Sequence, residues 1–295
     1  MAGYANHYDL RNRYMLTGQL VMQTAFHIGG GKGSLSNSDN PVVLTPEGQP
    51  FIPGSSFKGA LRSTVEKLVP GLPAEAALYT CGLLELSDQE RERLKNSIPK
   101  LCSTQRQKEI TALRWQHPIQ EKEILDQALA DLCSTCKLFG SPYIASRINV
   151  ADLSLLNPQW ASMIQRRDGI TIDRDSEKAR DHLRYDFEVV PASTVFKLQI
   201  TLENATQQDL QLVSIGLSEF IHGFGSIGGK RSRGLGVCLL ENLQIAALEL
   251  EGIEEQVRTT RLRNYLLRRE FSNHVTGEDF LNEHINDVFS AAPHR

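Results

Sequence analysis

Residues 195–236 read VFKLQITLENATQQDLQLVSIGLSEFIHGFGSIGGKRSRGLG. Phe196, Leu198, Ile200 and Leu202 alternate with polar residues, the period of two of a strand with one buried face. Leu210, Val213, Leu217, Phe220 and Ile221 then recur at helical spacing. The loop from Phe224 to Gly236 holds five glycines together with Lys230, Arg231 and Arg233, and no acid stands beside them. A closing strand is expected from Leu235. Glycines let a backbone approach a ligand and turn its N–H groups outward as an anion-binding nest. Gly228, Gly229, Lys230, Arg231, Arg233 and Gly234 are therefore candidate contacts to a phosphodiester backbone. A flexible hairpin with solvated charges is the alternative, but three cations in a helix–loop–strand setting favour the anion site.

Upstream, Tyr14, Leu16, Leu20, Met22, Phe26 and Ile28 predict another strand. A glycine-rich stretch leads to Asp39, then a short extended piece spans residues 42–44. Phe57, Leu61, Val65 and Leu68 fall at helical spacing behind Ser55 or Ser56, either a plausible N-cap. Free N–H groups at that helix start, the two hydroxyls and Lys58 would suit a phosphate, and Arg62 lies on the face of Lys58. A capped helix with two surface cations is the plainer reading. Strand–helix–strand twice over predicts an α+β, ferredoxin-like (RRM-like) core. Residues 72–137 read as a helical insertion, with Ser87–Lys95 a solvated helix. Residues 165–190 read as a projecting hairpin whose polar tip runs from Asp173 to His182. The core domain is expected over 1–247, and 248–295 as a helical C-terminal extension.

The net charge of −3 excludes a global basic field, so nucleic-acid binding must come from local clusters. No apolar stretch is long enough to cross a bilayer and the N-terminus has no apolar leader, which predicts a cytoplasmic, reducing location. There, Cys133 and Cys136 at C-x-x-C spacing read as a metal clamp rather than a disulfide. Cys102, Cys81 and His117 are candidates to complete a tetrahedron, and buried free thiols are the alternative.

His27-Ile-Gly-Gly30, Asp39-Asn-Pro-Val42, Ile52-Pro-Gly-Ser-Ser-Phe-Lys-Gly59, Cys136-Lys-Leu-Phe-Gly140 and Gly229-Lys-Arg-Ser-Arg-Gly-Leu-Gly236 occur in that order. Together they resemble the RAMP superfamily, in particular the repeated backbone subunit of type III CRISPR–Cas effector complexes, from about residue 15 to about residue 245. The resemblance implies a subunit that stacks with like subunits and other effector subunits along a CRISPR guide RNA. Its hairpin would be a thumb that kinks the guide–target duplex, with base pairing left to read the sequence. The resemblance also implies target-RNA cleavage by an acid at the position of Asp39, with Mg²⁺ or another divalent cation, and a structural Zn²⁺ near the cysteines. Taken alone, Asp39 reads as a turn residue before Pro41. Two other functions stay open: a non-catalytic RNA-binding subunit, and an endoribonuclease that processes the precursor RNA.

Overall fold

The computed structural model describes residues 9–30, 38–82, 101–157, 160, 163–172 and 179–290. The expected helix at Ser87–Lys95 and the hairpin tip at 173–178 lie outside the described residues.

Seven strands and seven α-helices appear among the described residues. In chain order they are β1 (Asn12–Met22), α1 (Gly54–Leu68), α2 (Gln107–Gln116), α3 (Glu121–Ala130), α4 (Ser134–Phe139) and β2 (Ile148–Val150). Then follow β3 (Gln165–Ile172), β4 (Ala179–Val189), β5 (Val195–Glu203), α5 (Gln207–Ile221) and β6 (Cys238–Glu249). The chain closes with α6 (Glu255–Arg268), β7 (Asn273–Thr276) and α7 (Gly277–Ser290). The main sheet is antiparallel in the order β2-β5-β1-β6-β7, while β3 and β4 pair separately as a ribbon. This is a mixed α+β architecture.

The alternation in β5 does what it predicts. Phe196, Leu198, Ile200 and Leu202 are all buried and meet Leu16 and Leu20 of β1 on the same face. Phe57, Leu61 and Val65 of α1 and Leu210, Val213, Leu217 and Phe220 of α5 cover that face, forming one core cluster. Each fully buried side chain of this size contributes about 1.5–3 kcal/mol of transfer free energy.

The start of α5 is fixed locally. Thr206 accepts from the Asp209 amide at 3.3 Å, and Asp209 Oδ2 accepts from the Thr206 amide at 2.8 Å, a reciprocal cap. Asp209 is buried and neutralised by Arg147 at 2.7 Å.

The start of α1 differs from expectation. Neither serine is the N-cap: the helix begins at Gly54 after Pro53, and the Gly54 amide donates to Asp152 Oδ1 at 2.7 Å. The cap comes from 98 residues away, beyond what local sequence can signal.

The C-terminal segment is not purely helical. β7 adds to the edge of β6, and Phe280 and Leu281 of α7 join the main core. With only four residues, three of them exposed, β7 has too little alternation to be read as a strand.

Candidate RNA-contacting site and cysteine cluster

The glycine-rich loop packs against the segment that follows β1 and against the β4 strand of the ribbon. The Gly229 amide donates to the His27 carbonyl at 2.9 Å, and the Gly236 amide to the Ala25 carbonyl at 2.9 Å. Two glycines are required by space and backbone angle together. Gly228 (φ 80°) and Gly236 (φ 85°) both lie in the left-handed region, and added Cβ atoms would fall 2.4 Å and 2.0 Å from carbonyl oxygens of His27 and Ile227.

Between them, residues 231–233 make a single 3₁₀ turn that leaves Arg231 and Arg233 exposed. Lys230 lies over the Phe187 ring, with Nζ 4.3 Å from its centroid and 5.9 Å from that of Tyr185. Arg233 donates to the Tyr185 hydroxyl. The cations thus rest on an aromatic brace supplied by β4.

The opposite side of β4 holds the loop that carries Asp39. Asp186 accepts at Oδ1 from the Ser38 hydroxyl and the Asp39 amide, each at 2.7 Å. Its own amide donates back to Asp39 Oδ2 at 3.1 Å. Arg166 pairs with its carboxylate across the ribbon. Two residues on, the Glu188 amide donates to the Asn40 carbonyl at 3.0 Å, and Glu188 Oε2 accepts from the Val42 amide at 3.0 Å. Asp186 is buried, whereas Asp39 is exposed.

His27 Nδ1 lies 2.7 Å from the Glu188 carbonyl, which can only accept, so Nδ1 carries the proton. Burial, with Lys230 adding to it, holds the His27 pKa below its ordinary value. Both effects favour the uncharged ring.

The second basic cluster has a different environment. Lys58 Nζ donates to Ser146 Oγ at 2.7 Å and to the Ile148 carbonyl at 3.0 Å, and burial lowers its pKa. Arg62 pairs with Glu66 at 2.8 Å and donates to the Gly140 carbonyl and Cys136 Sγ, both at 3.3 Å. Both cations tie α1 to the segment around α4 and β2. Ser55 is exposed and Ser56 half-buried at the helix start.

The four cysteines come together. Cys81, Cys102, Cys133 and Cys136 are buried with their sulfurs within 4.8 Å of one another, and Cys81 and Cys136 are 3.6 Å apart. A tetrahedral Cys₄ site with Zn–S bonds of about 2.3 Å needs sulfurs about 3.8 Å apart, so this cluster could hold such an ion. Hydrogen bonding among the sulfurs pushes the Cys81 and Cys136 thiols up and Cys102 and Cys133 down. Arg62, Thr104 and the Cys136 amide supply donors to sulfur, the outer shell that thiolate ligands use. His117 is exposed beyond the end of α2 and is not in the group.

Tyr185, Asp186, Phe187 and Asp152 are the site residues that sequence reading passed over. The alternation Tyr185-Asp186-Phe187-Glu188 held the signal, since two aromatics on one face and two acids on the other need two different neighbours.

The RAMP superfamily profile matches residues 19–238, more than half of the chain, and the chain belongs to that superfamily. It is similar to the "CRISPR system Cms endoribonuclease Csm3" of Methanocaldococcus jannaschii, 24% identical over 259 residues that cover 80% of this chain and 82% of the relative. The protein of the same name from Methanothermobacter thermautotrophicus is 42% identical over 59 residues, 19% of this chain and 24% of the relative. That from Enterococcus italicus is 39% identical over 66 residues, 20% of this chain and 31% of the relative. Among the described residues, no helix is long and apolar enough to cross a membrane.

Proposed function

We propose that this chain is a guide-RNA-binding backbone subunit of a type III CRISPR effector complex that cleaves the bound target RNA, with Asp39 as the catalytic acid. The observation that carries the reading is the placement of Asp39. It is an exposed carboxylate on a loop clamped to the same strand, β4, that braces the cations of the glycine-rich loop. The names of the relatives support an endoribonuclease of this class.

The strand order β2-β5-β1-β6, with α1 and α5 packed on one face, supports a ferredoxin-like, RRM-like core. In this reading Lys230, Arg231 and Arg233 neutralise guide phosphates, the absence of side chains at Gly228, Gly229 and Gly234 lets the RNA backbone come close, and the Ser55 and Ser56 hydroxyls line the groove. Lys58 and Arg62 brace its wall. The β3–β4 ribbon is the thumb.

Asp39 Oδ2 is held by the Asp186 amide, which leaves Oδ1 to take the proton of a target 2′-hydroxyl as its oxygen attacks the adjacent phosphorus. The P–O5′ bond breaks, leaving a 2′,3′-cyclic phosphate and a 5′-oxygen that takes up a proton from water. A divalent cation bound by Asp39 and RNA phosphates would supply charge neutralisation at that phosphate. The four thiolates would hold a structural Zn²⁺ that pins both ends of the segment between Cys81 and Cys102.

The test uses a complex assembled with guide RNA and given labelled complementary RNA and Mg²⁺. Asp39→Ala should assemble and bind target normally, yet lose the cuts. Cutting at the wild-type rate at every position would remove Asp39 from the chemistry and leave the non-catalytic subunit as the reading.

A further inference from the structure

Asp186 is a buried carboxylate whose bonds, among the described residues, run to the candidate catalytic loop and to the strand opposite it. Its Oδ1 takes two donors from that loop, the Ser38 hydroxyl and the Asp39 amide, both at 2.7 Å. Its amide closes the circle on Asp39 Oδ2, and its carbonyl accepts from Asn40 Nδ2 at 3.1 Å. Arg166, itself well exposed, balances the buried charge from β3. An exposed loop aspartate would otherwise sample several rotamers, whereas these bonds hold both the backbone and the carboxylate of Asp39 against one rigid strand.

We propose that Asp186 is the positioning residue for Asp39. It holds the acid in register with the guide-gripping loop through β4, whose alternate side chains face the two loops. Tyr185 and Phe187 set Lys230 and Arg233, and Asp186 and Glu188 set residues 38–42. The distance between held guide and cutting acid is thus fixed within four residues of one strand. The proposal rests on the reading of Asp39 as the cleaving acid.

The experiment compares Asp186→Ala, Asp186→Asn and Asp39→Ala in the assembled complex, with single-turnover cleavage followed across a Mg²⁺ titration. Displacing a reacting group by about 1 Å costs on the order of 100-fold in rate. Asp186→Ala should therefore cut about 10–100-fold more slowly with unchanged target affinity and an unchanged Mg²⁺ midpoint. Asp186→Asn keeps an acceptor oxygen for Ser38 and Asp39 while Arg166 swings into solvent, and should recover most of the rate.

Hydrogen exchange supplies a readout that does not depend on activity. The Asp39 amide should lose protection in Asp186→Ala and keep it in Asp186→Asn. Wild-type cutting by Asp186→Ala beside a dead Asp39→Ala overturns the positioning role and spares the reading of Asp39. An Asp186→Asn complex that loses as much rate as Asp186→Ala, with its Mg²⁺ midpoint shifted upward, overturns it as well, because Asp186 would then be a ligand. Unimpaired cutting by Asp39→Ala overturns both.

Discussion

Two basic clusters look alike in sequence and behave differently in the fold. In the loop at residues 230–233, Arg231 and Arg233 are exposed and Lys230 lies on an aromatic face. On α1, Lys58 and Arg62 have their donors taken by Ser146, Ile148, Gly140, Glu66 and Cys136. Helical spacing tells which residues share a face, but not whether another segment covers it. Cations available to a ligand are those whose neighbours offer π-faces or solvent rather than carbonyls and carboxylates.

The contrast can be broken most forcefully at the cysteines, because Arg62 donates to Cys136. A metal bound about a thousandfold above its dissociation constant adds about 4 kcal/mol to stability. Zinc at stoichiometric level in the purified protein, and a fall of roughly 10 °C in melting temperature on chelation, are the expected results. A metal-free protein that melts at the same temperature with and without chelator would remove zinc from the structure of that region.

Arg62→Ala comes next. It leaves Glu66 unpaired in a half-covered site and deletes two further bonds, and should cost about 2–3 kcal/mol in denaturant unfolding. If its melt were unchanged and guide binding fell instead, Arg62 would be an RNA contact and the contrast would collapse.

What sequence could and could not reveal follows the same line. The strands β1 and β5 and the helices α1 and α5 were legible because their apolar periods coincide with burial at Leu16, Phe196, Phe57, Leu61, Leu210 and Phe220. The β3–β4 ribbon was legible too, although His182 belongs to β4 rather than to its tip. The Asp152 cap, the Lys58–Ser146 bond and the Ser38–Asp186 bond were not. Each joins residues about 90–150 apart, and no local pattern encodes the pairing. The cysteines were legible as candidates, but only the fold separates the four that meet from His117, which stays outside.

The smallest expected change in stability belongs to the triple variant Lys230→Ala, Arg231→Ala, Arg233→Ala. Its main cost is the loss of the Lys230 contact with the Phe187 ring, about 0.5–1 kcal/mol for an exposed cation–π pair. The same variant carries the most direct test of the loop as an RNA-backbone site, through guide-RNA affinity measured across a salt series. Each phosphate contact to single-stranded RNA contributes about 0.7 to the slope of log K against log salt, so losing three should flatten the slope by about 2 and weaken binding throughout. An unchanged slope and affinity in a variant that melts normally would contradict the assignment of this loop to the guide.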